Sequence, residues 1–160
     1  MSLKVIDKFL PQNIFDELQK NVMGDNFPWH FQSDIEKEGS EDDKFYFTHI
    51  LFDDEKQNSP YFNKFTPILD ILKPNELIRM KLNLYTRTEK LEEHLPHTDY
   101  SFDNKGCVLS FNTCDGFTRL ENGVVNSVAN RAVIFDAQKP HNSTSTTNAK
   151  ARFNININYN

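Results

Sequence analysis

Cysteine and glycine are scarce in this 160-residue chain, which has two Cys and five Gly, with a single Trp and three Met. Cys107 and Cys114 are too few for a disulfide framework or a four-cysteine zinc site, which excludes a cross-linked secreted scaffold and a zinc finger. No run approaches the ~18 consecutive apolar residues of a membrane helix. Basic charge is also short: 18 Lys and Arg face 23 Asp and Glu, a net charge of −5. That balance argues against a protein that grips duplex nucleic acid through its phosphates. Asp7 falls where a signal peptide needs apolar residues, so a cytoplasmic location is expected. Aromatics are plentiful, with 14 Phe and five Tyr to fill a core. The length suits one domain over residues 1–160.

Two halves differ in pattern. In residues 1–77, Leu3 to Ile6 is a short strand candidate. Pro11-Gln12-Asn13 opens a helix with Ile14, Phe15, Leu18 and Val22 at helical spacing, and Gly24 ends it. Phe27 to Phe31 is aromatic and extended, because Pro28 forbids a helix interior. The acid-rich run from Asp34 to Lys44 reads as a solvated loop. Lys44 to Phe52 alternates as a strand, and Tyr61 to Leu72 reads as a second amphipathic helix with Pro67 as a kink. Phe27 to Pro60, with Trp29 and Tyr46, is the candidate cover of a pocket. From Ile78 onward, eight strand-like runs alternate with turn signals: 78–86, 92–97, 107–112, 117–121, 124–128, 132–135, 141–145 and 152–159. Such spacing belongs to a β sandwich or barrel. The expected class is mainly β with N-terminal helices, an α/β half over 1–77 buttressing a β core over 78–160.

The last run, Arg152-Phe153-Asn154-Ile155-Asn156-Ile157-Asn158, alternates strictly. It puts Arg152, Asn154, Asn156 and Asn158 on one face, either toward solvent or lining a polar cavity. Upstream stands His97-Thr98-Asp99, in which an imidazole and a carboxylate two apart in an extended segment point the same way. With a second imidazole they make a 2-His-1-carboxylate facial triad, which leaves coordination positions open on a non-haem Fe(II). Alone, His-x-Asp is equally a turn with an Asx hydrogen bond. His141 follows a strand candidate, and a turn at Thr146-Thr147 would bring Arg152 to its height. A guanidinium there suits a short diacid held at the metal, since its fork binds carboxylates bidentately.

His97-x-Asp99, His141 and Arg152, in that order on an eight-stranded second half, resemble the 2-oxoglutarate- and Fe(II)-dependent oxygenases with a double-stranded β-helix (jelly-roll) core, and most of all their prolyl-hydroxylase-like branch. The resemblance implies that His97, Asp99 and His141 hold the catalytic iron and that Arg152 holds the far carboxylate of 2-oxoglutarate. It makes Tyr85 and Asn83 further co-substrate contacts, on the strand before His-x-Asp. Asn154 stands where many members have a serine. Gly116-Phe117-Thr118 resembles a Gly-Gly-Thr turn of this branch. The implied cofactors are Fe(II), 2-oxoglutarate and, as a further candidate, ascorbate. The implied reaction is a dioxygenase hydroxylation of a C–H bond on a peptide, prolyl or amino-acid-like substrate, releasing succinate and CO₂. Partners are then O₂ and a small-molecule or peptide substrate.

Two other classes stay open: a cupin-type metal jelly roll without 2-oxoglutarate, and a non-catalytic binding module. For the remaining histidines, His94 is read as pointing away from the metal, at the mouth of the pocket or on the surface, and His30 and His49 as partly buried packing residues. Both cysteines read as reduced core residues.

Overall fold

The structure, a computed structural model, describes residues 3–35 and 43–160, so most of the expected acidic loop lies outside the described residues. The first half forms β1 (Lys4–Ile6), α1 (Gln12–Val22), β2 (His30–Gln32), β3 (Tyr46–Asp53), β4 (Lys56–Gln57) and α2 (Thr66–Leu72). The second forms β5 (Leu77–Thr86), β6 (Lys105–Ser110), β7 (Phe117–Leu120), β8 (Gly123–Asn126), β9 (Arg131–Asp136) and β10 (Ala151–Tyr159).

One antiparallel sheet runs β1-β9-β6-β10-β5-β3-β2, with β4 on β3. The second layer is looser. It consists of the β7–β8 hairpin and segments joined by single bridges, Glu93 to Thr144, His97 to His141 and Arg119 to Asn142. The runs 92–97 and 141–145, expected as strands, are therefore bridged segments without a continuous ladder. Pro96 and Pro140 lack the N–H a ladder needs. Together the layers make a jelly roll. Because β3 pairs with β5 along one ladder, the strands of the first half widen the core sheet.

The helices cover one face of that sheet. α1 buries Phe15, Leu18 and Val22, with the Phe15 ring 6.1 Å from that of Phe111. A 3-10 turn at Phe62–Phe65 leads into α2, and Pro67 sits in the first turn of α2. It starts the helix there and does not kink it, since the missing N–H has no intrahelical partner in the first turn. Beneath the helices lie Met80, Leu82, Ile155 and Ile157, all fully buried. Each such side chain contributes roughly 1.5–3 kcal/mol relative to exposure.

With the apolar faces of β5 and β10 committed to the helices, their polar faces turn into the roll. The register pairs Arg79 with Asn158, Lys81 with Asn156, Asn83 with Asn154 and Tyr85 with Arg152. Arg152, Asn154 and Asn158 are buried, so the alternation of the last strand lines a polar interior.

Candidate functional site

The two bridged segments bring the histidines together. His97 and His141 exchange both backbone hydrogen bonds at 2.9 Å, and their rings lie 4.7 Å apart. Asp99 follows two residues after His97, its N–H donating to the Ala137 carbonyl at 3.3 Å. One ligand atom each from His97, Asp99 and His141 falls within 4.8 Å of the others. His97 Nε2 stands 3.7 Å from Asp99 Oδ1, and His141 Nε2 stands 3.5 Å from Asp99 Oδ2.

The donor set fits a cation. His141 Nδ1 is 2.9 Å from the Lys139 carbonyl, an acceptor, which places the ring proton on Nδ1. Nε2 is then a bare lone pair, buried and without a hydrogen bond, facing a carboxylate. Two acceptors aimed at one point repel unless a positive centre sits between them. Burial and the neighbouring His141 push His97 below the ordinary histidine value and keep it neutral, the form that ligates metal.

Asp99 is held from behind. Arg79 donates to Oδ1 at 3.0 Å, and Asn158 donates to Oδ2 at 2.8 Å, with Asn156 further off at 3.4 Å. Burial alone would raise its pKa. The Arg79 guanidinium and the Asn158 amide, both donating to it, outweigh that and keep the carboxyl well below the usual carboxylate range. Each oxygen has two acceptor sites, so these three contacts leave one, on Oδ1, for a metal. Arg79 was not singled out from the sequence, and Asn158 was read only as one of the polar residues sharing a face of the last strand. The signal existed, because Arg79, Lys81, Asn83 and Tyr85 alternate with apolar residues as the last strand does.

Arg152 is 1% exposed. Its Nε donates to Ser127 at 2.6 Å, one terminal nitrogen to Ser143 Oγ and the Thr144 carbonyl, and the other to Thr118 at 3.1 Å. The guanidinium lies 5.8 Å from the Tyr85 ring centre. Every hydrogen-bond acceptor is neutral, and among the described residues no carboxylate pairs with it. It lies level with Ser143 and Thr144, a little past the height expected, because the turn occupies 147–150. The open pocket is lined by His97, Asp99, His141, Asn83, Tyr85 and Asn154, and also by Thr118 and Ser143, which touch Arg152. The structure thus gathers all the singled-out residues in one region, with Arg152 behind the wall.

Gly116 makes that placement possible. A Cβ there would lie 2.6 Å from Arg152 Cδ and 2.8 Å from the Ser145 carbonyl. Gly116→Ala is expected to cost ~1–3 kcal/mol of stability through overpacking, measured by denaturant unfolding. Unchanged stability would place Arg152 elsewhere.

His94, read as outside the triad at the pocket mouth or on the surface, is buried and lines the same pocket, its ring 5.1 Å from that of Tyr85. The segment is not regularly extended there, so two-residue alternation from His97 does not carry back across Pro96. His49 is a packing residue bonded to the Pro28 carbonyl and Ser59, whereas His30 is exposed. Cys107 is buried, its thiol pushed up to about 12 by burial, and Cys114 is also buried. Of the expected cover, Ile35 and Tyr46 reach the pocket, while Trp29 packs on Phe27 and Phe153.

No protein-family model matches the sequence, and no curated protein matches it significantly. Solved structures do match the fold. A prolyl-4-hydroxylase from Pseudomonas putida superposes with a TM-score of 0.59 at 12% identity, over 98% of this chain and 91% of that one. A 2OG-Fe(II) oxygenase family oxidoreductase from Burkholderia pseudomallei gives 0.64 at 10% identity, over 98% and 84%. The non-heme alpha ketoglutarate dependent epimerase SnoN from nogalamycin biosynthesis gives 0.65 at 11%, over 98% and 77%. The jelly roll is therefore the fold seen in 2-oxoglutarate/Fe(II) oxygenase structures. Among the described residues no helix is long and apolar enough to cross a membrane.

Proposed function

We propose that this chain is an Fe(II)- and 2-oxoglutarate-dependent oxygenase that hydroxylates a C–H bond of a peptide, prolyl or amino-acid-like substrate, with release of succinate and CO₂. The observation that carries this reading is a pair of needs in one region: the His97–Asp99–His141 donors in the pocket call for a cation, and Arg152 just behind its wall calls for an anion. A metal with a bound dicarboxylate answers both.

His97, Asp99 and His141 would hold the iron, which when bound supplies the redox chemistry with O₂ that C–H oxidation requires. The protein's own work is placement. Lys139 fixes the His141 tautomer through its carbonyl, and Arg79 and Asn158 fix the Asp99 carboxylate. Arg152 would anchor the far carboxylate of 2-oxoglutarate, with Tyr85, Asn83 and Asn154 along the same floor. Asn83 donates to Asn154 at 2.9 Å, which fixes both amides beside the site. Burial of this floor keeps water from the reacting centre.

The test is succinate formation by purified protein given Fe(II), ascorbate, O₂ and 2-oxoglutarate, alone and with panels of amino acids and short peptides. Metal- and 2-oxoglutarate-dependent succinate, stimulated by one substrate class, is the expected result. Tight metal binding without 2-oxoglutarate turnover would favour a cupin-type enzyme, a reading that leaves Arg152 without a purpose.

A further inference from the structure

A second cation in the same pocket, half-buried, is left unused by the assignment above. Lys81 lies on the polar face of β5 between Arg79 and Asn83, and it lines the pocket with His97 and Asp99. Its hydrogen-bond partner is the Tyr46 hydroxyl, 3.4 Å away, and the ammonium lies 5.6 Å from the Tyr46 ring centre. Among the described residues no carboxylate forms an ion pair with it. Burial, with Arg79 adding to it, lowers Lys81 to about 8; Asp99 and Asp53 pull the other way without cancelling that.

Among the described residues the charges do not balance without a further anion. Asp99 is neutralised by Arg79. In the oxygenase reading the two carboxylates of 2-oxoglutarate are committed, one to the metal and one to Arg152. Lys81 then remains a half-buried cation with no ion-paired carboxylate among the described residues, a placement that favours an incoming opposite charge. A second orphan sits beside it. Asn156, paired with Lys81 across the strands, turns its amide nitrogen to Asp99, and its Oδ1 is buried without a hydrogen bond. That oxygen accepts only from an N–H or O–H.

We infer that Lys81 and Asn156 receive the α-carboxylate and the adjacent N–H of an amino-acid substrate, either free or as the last residue of a peptide. This rests on the oxygenase reading and narrows its substrate class. An internal prolyl residue offers neither a carboxylate nor an N–H at that position.

The experiment uses the protein loaded with Co(II) and saturated with 2-oxoglutarate under argon, followed by its visible absorption. Probes are the free amino acids, tripeptides with the same residues at a free C-terminus, and the carboxamide of each. At least one acid is expected to shift the spectrum, and its carboxamide should bind at least ~10-fold more weakly, as loss of a charge-assisted contact dictates. The free and C-terminal arms distinguish the two sources. Lys81→Met should weaken the acid to the level of its amide, Lys81→Arg should recover part of the affinity, and 2-oxoglutarate affinity should stay within about twofold. Should Lys81→Met not fold, the acid–amide comparison on the wild type still decides. Equal binding of acid and amide, or no acid bound, overturns the inference. So does loss of 2-oxoglutarate affinity in Lys81→Met, which would give the carboxylate to the co-substrate. A wild type that takes up neither Co(II) nor 2-oxoglutarate overturns the oxygenase reading itself.

Discussion

Replacing His141 by Ala is expected to abolish stoichiometric metal binding, and His97→Ala to do the same, while both variants stay folded. The magnitude follows from where each residue stands. Losing an outer partner of a metal ligand typically costs roughly 10- to 100-fold in affinity, so losing one of three ligands should exceed that range. His141 is the more diagnostic of the two. Its Nε2 is buried with no hydrogen bond, so His141→Ala removes an uncompensated lone pair and frees only the Lys139 carbonyl, which belongs to an exposed residue. Metal affinity and stability should therefore separate: Fe(II) or Co(II) titration collapses, while the unfolding midpoint of the metal-free protein barely moves. A purely structural histidine would behave the opposite way. Unchanged metal affinity in both variants would refute the triad.

The parts of this site that were legible in the sequence are those fixed by short-range geometry. His97 and Asp99 converge because residues two apart share a side, and the strict alternation over 152–158 settles which residues of β10 share a face. The direction of that face was not legible. Only the packing of α1 and α2 on Phe153, Ile155 and Ile157 decides that the asparagines turn into the roll. Long-range partners were not legible either. The contact of Arg79 with Asp99 depends on β5 pairing with β10, a register set by the whole sheet. The surface alternative for His94 fell for a local reason, since Pro96 interrupts the extended geometry that alternation assumes. Pro67 misled in the same way, as a helix start looks like a kink when the helix is read one turn too long.

That separation between near and far carries over to the charges. Asp99 has a cation supplied by the chain itself, whereas Arg152 has only hydroxyls, a carbonyl and an aromatic face. A protein keeps an unmatched buried cation at a cost to its own stability. The cost is offset when a ligand brings the missing charge. In the proposed function the two arginines should therefore answer mutation differently: Arg79 supports a group of the protein, and Arg152 would receive a group from outside.

Arg152→Gln should accordingly lower 2-oxoglutarate affinity steeply and do little else. Truncating one partner of a buried charge-assisted pair costs ~2–5 kcal/mol when the other charge stays in place. At about 1.4 kcal/mol per decade, that is roughly 30- to 3,000-fold. The metal-free protein should lose far less stability, because the hydrogen bonds to Ser127, Ser143, Thr144 and Thr118 are offset by removal of a desolvated charge. Metal affinity without co-substrate should stay near wild type, since the guanidinium touches none of the three ligands. The measurement is calorimetric titration of metal and then of 2-oxoglutarate into wild type and variant, with unfolding curves of both metal-free proteins. If the variant bound 2-oxoglutarate as tightly as the wild type, Arg152 would not be its anchor. If metal affinity fell together with 2-oxoglutarate affinity, the variant would have disturbed the site as a whole, and the clamp would lose its support.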